Sequence, residues 1–534
     1  MHVEDVLNGN IQSLNLYIPI DRSAAELQGE SDAPSVFPAG LSPEDIQQMD
    51  RDGYWVESDD ANDRMYAVAS LSKIYLAAAL ILQLRENEFL KSHDVNLFTD
   101  AYSVYNLCRN RWGLPLLLFP EKGPRLWDIL CHTGALAPMN KYILGPDSSH
   151  LLTRDQFLRI AMQITTDMHE QLNDGRPWYS SANHIFLGIL LEAVMQKDLW
   201  EVVQKCVFER FRMTNSSFHK KALLEKEVEQ IVRGAMVSSH GTRHAVDAFS
   251  HLDGIVQYAA MGVRSSLRDI AKFNRELIGA LAGKQGSVIL TDDARALLGD
   301  PVTSPDGRPT TPYGYREVLG KTMFSESPNA HLNPGHHTLY QIKIPKGEKP
   351  LLVFRKAGYI DGFGCNVILI PKLGISIIVL GNASGPIDTT YHVANYILQA
   401  IVQPAKPVDI LGLAVSEGKL CAAALQQIEK PAWLTQSPGL QPADLAGTYR
   451  HEHYEQEIVI DRQHNVTIRG DGGKSSPGRL VSLTNDMIAM DLPVSKCGIE
   501  VWSVWRDRRF SLTRGPTGLT LVQAGTNDVY LLVE

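Results

Sequence analysis

Cysteine is scarce in this chain of 534 residues: Cys108, Cys131, Cys206, Cys365, Cys421 and Cys497 lie far apart with no Cys-x-x-Cys pair. That spacing offers neither a zinc knuckle nor a disulfide framework. Long apolar runs are also missing. The most apolar stretches, Ile74 to Leu84 and Ile375 to Gly381, fall short of the roughly 18 to 20 residues that cross a bilayer. There is no basic excess, since the formal net charge is −9. Phosphate contacts need clustered Lys and Arg, so nucleic acid is excluded as a partner. The opening residues, Met1-His2-Val3-Glu4-Asp5-Val6, are acidic where a secretory signal needs a basic start and an apolar run. A cytoplasmic protein that does not engage membranes is expected. No Gly-x-Ser-x-Gly elbow and no phosphate-cradling glycine loop occurs, which removes two large enzyme classes. His331, His336 and His337 bunch together without the i,i+4 spacing of a metal-binding helix. They read as a polar loop, and neither a metal nor a cofactor is expected.

What is present is the composition of an ordinary globular protein, 44% hydrophobic and 21% charged. The length exceeds what one core usually serves, so a large body with a smaller appended domain is expected. Residues 1–60 read as an irregular leader with one short apolar stretch, Leu14 to Ile20. From Met65 to Leu84 an apolar helical period predicts a buried helix. Helical stretches separated by Gly- and Pro-containing loops continue to about residue 300. Strand-like runs follow at Thr338 to Ile344, Leu351 to Arg355, Cys365 to Ile370 and Ile375 to Leu380. The last two are joined by a turn at Pro371-Lys372-Leu373-Gly374, and a helix over Ile387 to Val402 would pack on the resulting sheet. The catalytic-type domain thus spans 61–402. Residues 403–442 read as a linker that contains a helical piece near Leu411 to Ile428. Residues 443–534 carry short alternating strands, among them Glu457 to Ile460, Asn465 to Arg469, Gly498 to Trp505 and Val529 to Val533. They suggest a small all-β barrel or sandwich.

The chemistry-bearing pattern is Ser70-x-x-Lys73 at the head of an apolar helix. Residues three apart share a helical face, so the amine can reach the hydroxyl. A lysine desolvated in an apolar site has its pKa lowered, so its neutral amine can act as a base toward the serine proton. The pattern alone is weak, because ordinary Ser and Lys frequencies give about two chance matches in a chain this long. Ser217-x-x-Lys220 and Ser416-x-x-Lys419 are such matches.

Ser70 differs from them in its company. Met65-Tyr66-Ala67-Val68-Ala69-Ser70-Leu71-Ser72-Lys73 and the later Leu126-Trp127-Asp128-Ile129-Leu130-Cys131-His132-Thr133-Gly134 resemble, in order, segments of the serine β-lactamase and penicillin-binding-protein superfamily. The resemblance is to its class C-like branch of esterases, D-aminopeptidases and acyltransferases. Trp178-Tyr179-Ser180-Ser181-Ala182-Asn183 resembles the second motif of that branch, a Tyr followed two residues later by Asn; here Ser181 fills the Asn position. Arg355-Lys356-Ala357-Gly358-Tyr359 with Asp361-Gly362-Phe363-Gly364 resembles the third, a strand beside the nucleophile. The likeness covers about 61–400.

The resemblance implies an α/β fold of the α+β kind, with an antiparallel sheet flanked by helices and an all-α region. It implies Ser70 as nucleophile with Lys73 and Tyr179 as its bases. Backbone N–H groups of Ser70 and Tyr359 would form an oxyanion hole at Gly358, with Lys356 steadying Tyr179 or a substrate carboxylate and Ser181 touching substrate. The expected activity is a serine hydrolase that cleaves a small-molecule ester or amide through an acyl-enzyme. Two alternatives stay open: transfer of the acyl group to an alcohol or amine of a small metabolite, and an inactive binding protein that keeps the fold. His132 reads as a turn residue. The oligomeric state is left open.

Overall fold

The computed structural model describes Asn15–Ile18, Tyr54–Trp55 and most of residues 63–533, leaving aside segments chiefly within 118–122, 168–178, 225–229, 247–257, 300–308, 320–349, 430–444 and 492–508. Apart from the buried Ile342, the strand expected at Thr338 to Ile344 lies outside the described residues, as do the one at Gly498 to Trp505 and the trio His331, His336 and His337.

The central sheet has eight antiparallel strands. Its middle is formed by Leu352–Ile360, Phe363–Ile370 and Ile375–Gly381. These residues are buried on both faces, as continuous β-branched runs require when helices cover a sheet on each side. The sharp return at Pro371–Leu373 closes on Gly374, whose φ of 67° lies in the left-handed region. Tyr315–Val318 continues the sheet on one side. On the other side the leader corrects the expectation of an irregular segment. Asn15–Ile18 pairs with Ile375–Gly381, and Tyr54–Trp55 pairs with Asn15–Ile18 to form the edge. A short strand has no local signature beyond its apolar stretch, and this one finds its partner more than 350 residues away, which periodicity cannot register.

The helix expected over Met65 to Leu84 begins later. Met65–Ala67 is a strand paired with Arg264–Ser266, a 3-10 turn follows at Ala69–Leu71, and the α-helix runs Ser72–Glu86. Short apolar runs do not distinguish strand from buried helix. Every residue of that helix from Ser72 to Gln83 is buried, as is the helix Ser181–Met195 up to Val194. Helices apolar all round belong inside a core, and these two anchor it. The helix Thr389–Val402 covers the opposite face of the sheet, and Ile410–Glu429 packs on it.

The C-terminal strands from Gly447–His451 to Val529–Leu532 close into an eight-stranded barrel. Closure removes the exposed edges that an open sheet of this size would carry. Its apolar cluster includes Tyr449, Ile458, Ile468, Phe510 and Tyr530.

Candidate active site

Ser70 sits where three elements meet. Ala69 before it has φ of 44°, a left-handed conformation that costs energy for a residue with a Cβ. That bend lifts Ser70 out of the strand line and into a 3-10 turn. The turn is laced from behind: Val68 N–H donates to Val263 O at 3.1 Å, and Ser72 Oγ accepts from Val263 N–H at 3.0 Å. The central strand Leu352–Ile360 passes directly over it at Gly358. A Cβ there would collide with the Val68 carbonyl oxygen and stand 3.0 Å from Ser70 N. Only glycine permits this approach.

Lys73 lies at the first turn of the following helix and is 1% exposed. Its Nζ donates to Ser70 Oγ at 3.0 Å and to the Ala260 carbonyl at 3.0 Å. Tyr179, one residue before the N-cap Ser180 of the buried helix Ser181–Met195, places its hydroxyl 2.7 Å from Ser70 Oγ. Lys73 Nζ stands 5.1 Å and Lys356 Nζ 5.0 Å from the centroid of the Tyr179 ring. Alternation along the strand sends the neighbouring Arg355 to the other face, where it forms a buried ion pair with Glu317 at 2.8 Å. Burial pushes the Tyr179 phenol up, but Lys356 and Lys73 together pull harder and hold it below the ordinary phenol value. The arrangement can therefore accept a proton at one oxygen and donate through an amine at a second position, both on the same hydroxyl.

Of the residues singled out from sequence, Ser70, Lys73, Tyr179, Lys356 and Gly358 come together around one hydroxyl. Tyr359 directs its own hydroxyl away, to the Asp388 carboxylate at the start of the helix Thr389–Val402. Burial and that carboxylate raise the Tyr359 phenol well above its usual range, so it remains a donor. Ser181 is buried in the first turn of its helix. Among the described residues it makes no side-chain hydrogen bond to Ser70, Lys73 or Tyr179.

Two partners escaped the sequence reading. Ala260 acts only through its backbone carbonyl, which leaves no trace in residue type. His132 has the turn conformation expected of it, with φ of 57°, but its ring also lies 4.4 Å from that of Tyr179. Its place three residues into Leu130-Cys131-His132-Thr133 was the available signal.

The chain is similar to several solved structures. One is the octameric penicillin-binding protein homologue from Pyrococcus abyssi, at 15% identity over 100% of this chain and 97% of that one, with a TM-score of 0.48. Another is a D-stereospecific amidohydrolase from Streptomyces sp., at 14% identity over 74% and 96%, with a TM-score of 0.47. A class C beta lactamase from Rhodobacter sphaeroides matches at 14% identity over 74% and 96%, with a TM-score of 0.44. Among the described residues no helix is long and apolar enough to cross a membrane. Residues 56–401, which hold every group of the cluster around Ser70, match the Beta-lactamase family, and the chain belongs to that family.

Proposed function

We propose that this chain is a serine acyl-transfer enzyme that opens a small-molecule ester or amide through Ser70. Family membership supports hydrolase or acyltransferase chemistry in general. The observation that carries the finer reading is the convergence of the Lys73 amine, at 3.0 Å, and the Tyr179 hydroxyl, at 2.7 Å, on Ser70 Oγ.

In the first step the Ser70 proton passes to Tyr179 in its phenolate form, with Lys73 holding the serine oxygen and the phenolate in register. Ser70 Oγ adds to the substrate carbonyl. The oxyanion that forms is met by the N–H groups of Ser70 and Tyr359, brought together by the side-chain-free passage at Gly358. Collapse expels the alcohol or amine, which takes the proton from Tyr179, and leaves the acyl group on Ser70. Water then enters and adds to the acyl carbonyl as it gives a proton to Tyr179; collapse releases the acid and breaks the bond to Ser70 Oγ, which takes the proton back from Tyr179 and restores the phenolate. Lys356 steadies the phenolate throughout. Ser181 is assigned to the substrate side of the same helix turn.

A fluorophosphonate and a fluorescent penicillin, each followed by intact mass on wild type and Ser70→Ala, test this. One adduct on wild type and none on the variant is the expected result. A folded wild type that takes no adduct, or a Ser70→Ala protein that labels equally, overturns it and favours a binding protein on the same fold. Release of the acyl group to water alone, or faster release when an alcohol or amine is supplied, separates hydrolase from transferase.

A further inference from the structure

His132 follows the helix Leu126–Leu130 and lies against Tyr179. Its ring centroid is 4.4 Å from that of Tyr179, at a 37° tilt, and 4.9 Å from that of His184. The backbone N–H of Ser180, the residue next to Tyr179, donates to His132 Nδ1 at 3.3 Å. A backbone amide can only donate, so this nitrogen carries a lone pair and the neutral ring holds its proton on Nε2. Asn183 strengthens the assignment. Its Oδ1 accepts from Leu136 N–H at 2.8 Å, which turns its Nδ2 toward His132 Nδ1 at 3.2 Å as a second donor.

The groups facing His132 are Tyr179, His184, Lys73 and Lys356. Burial, Lys356 and Lys73 hold the imidazole well below its ordinary value. His184 is depressed as well, by burial, by His132 and by the same lysines. Among the described residues neither of its ring nitrogens has a hydrogen-bond partner, so no second positive charge is stabilised beside His132. A proton on His132 Nδ1 would displace two donors at once and set a third cation beside two ammonium groups.

We propose that His132 is the positioning residue for Tyr179, its unprotonated Nδ1 anchoring the chain at Ser180 while its uncharged ring forms the wall on which the phenol rests. Tyr179 is 41% exposed, and an exposed side chain keeps rotamer freedom unless a neighbour removes it. The anchor at Ser180 removes most of that freedom, and the neutral ring adds a surface beside the phenol without altering the charge that Tyr179 experiences. The inference rests on the reading of Tyr179 as the base for Ser70, but it has readouts of its own.

His132→Phe keeps a ring and loses the acceptor. His132→Asn loses the ring but keeps an acceptor oxygen, and asparagine tolerates the left-handed backbone. The titration of Tyr179 is read as the 295 nm difference between each protein and its Tyr179→Phe counterpart, and Ser70 labelling by a fluorophosphonate is followed against pH. His132→Phe is expected to label about 10- to 100-fold more slowly, with the Tyr179 titration moved to higher pH as the phenol drifts from the lysines. His132→Asn is expected to label within about fivefold of wild type, since the anchor is retained. A folded His132→Phe protein with the wild-type titration and labelling profile overturns the proposal, as does a His132→Asn protein as impaired as His132→Phe. If His132→Phe does not fold, histidine-15N spectra of wild type decide. An unprotonated Nδ1 and protonated Nε2 on His132 are expected, and an Nδ1–H tautomer overturns the anchor. Failure of wild type to label at Ser70 counts against the proposed function, whereas the tyrosine titration still decides the role of His132.

Discussion

A phenol can serve as a base near neutrality only when something holds its anion, and Lys73 and Lys356 are the two cations that lower the Tyr179 phenol. Lys73 is committed to Ser70 and the Ala260 carbonyl, which leaves Lys356 as the cation whose loss tests electrostatics with the least disturbance of geometry. Removing it destabilises the phenolate, raises the Tyr179 pKa and leaves less base at a given pH. Lys356→Met is therefore expected to shift the rising limb of kcat/KM against pH, measured on an aryl ester, to higher pH. At neutral pH the rate should fall by about 10- to 100-fold. An unmoved limb would assign the proton to another group. At this scale the sequence was informative where motif spacing brings side chains together, as with Ser70 and Lys73. It was silent where a backbone group acts, as with the carbonyl of Ala260. It was misleading by omission at His132, because a turn conformation and a packing role can belong to one residue.

Between elements, the strand that carries Gly358 is tied at its end. Tyr359 donates to Asp388, and the same carboxylate accepts from Tyr391 N–H at 3.0 Å and Thr390 Oγ1 at 3.0 Å, capping the helix Thr389–Val402. One buried carboxylate thus joins a strand that carries Gly358 to the helix on the far side of the sheet. Asp388→Ala removes the cap and leaves the buried Tyr359 hydroxyl short of an acceptor. A loss of about 1–3 kcal/mol is expected, visible as an earlier first transition in thermal unfolding. Ser70 labelling should slow as the strand end loosens, while a melt and labelling rate unchanged from wild type would mean the tie carries no load. The central strands and covering helix were legible because buried strands and amphipathic helices write their period into the sequence. The strand Met65–Ala67 that leads to Ser70 was not, since its partner Arg264–Ser266 lies about 200 residues downstream and an apolar run fits either element.

On the scale of the whole molecule, the barrel is fastened to the catalytic body by its glycines. Gly470 and Gly473 face each other across a two-residue Asp471-Gly472 turn, a sequence suited to a tight hairpin. The tip of that hairpin lies on the chain at His150, Leu151 and Leu152. Gly472 N–H donates to Leu151 O at 2.9 Å, and a Cβ on Gly470, Gly472 or Gly473 would run into that backbone. Leu151 is fully buried in one apolar cluster with the barrel residues, together with Met236 and Leu425. Tyr142 adds a hydrogen bond to Asp528 at 2.8 Å. From sequence the strands of the barrel could be read, but this seam could not, because the absence of a side chain advertises a turn and not a docking face. Gly472→Val cannot be accommodated without separating the two surfaces, since backbone on the facing chain cannot rotate aside as a side chain can. Hydrogen exchange should then accelerate at residue 472 while the amides of the strands Glu457–Ile460 and Asn465–Gly470 keep their protection. Loss of protection throughout the barrel would instead show that barrel and body fold as one cooperative unit.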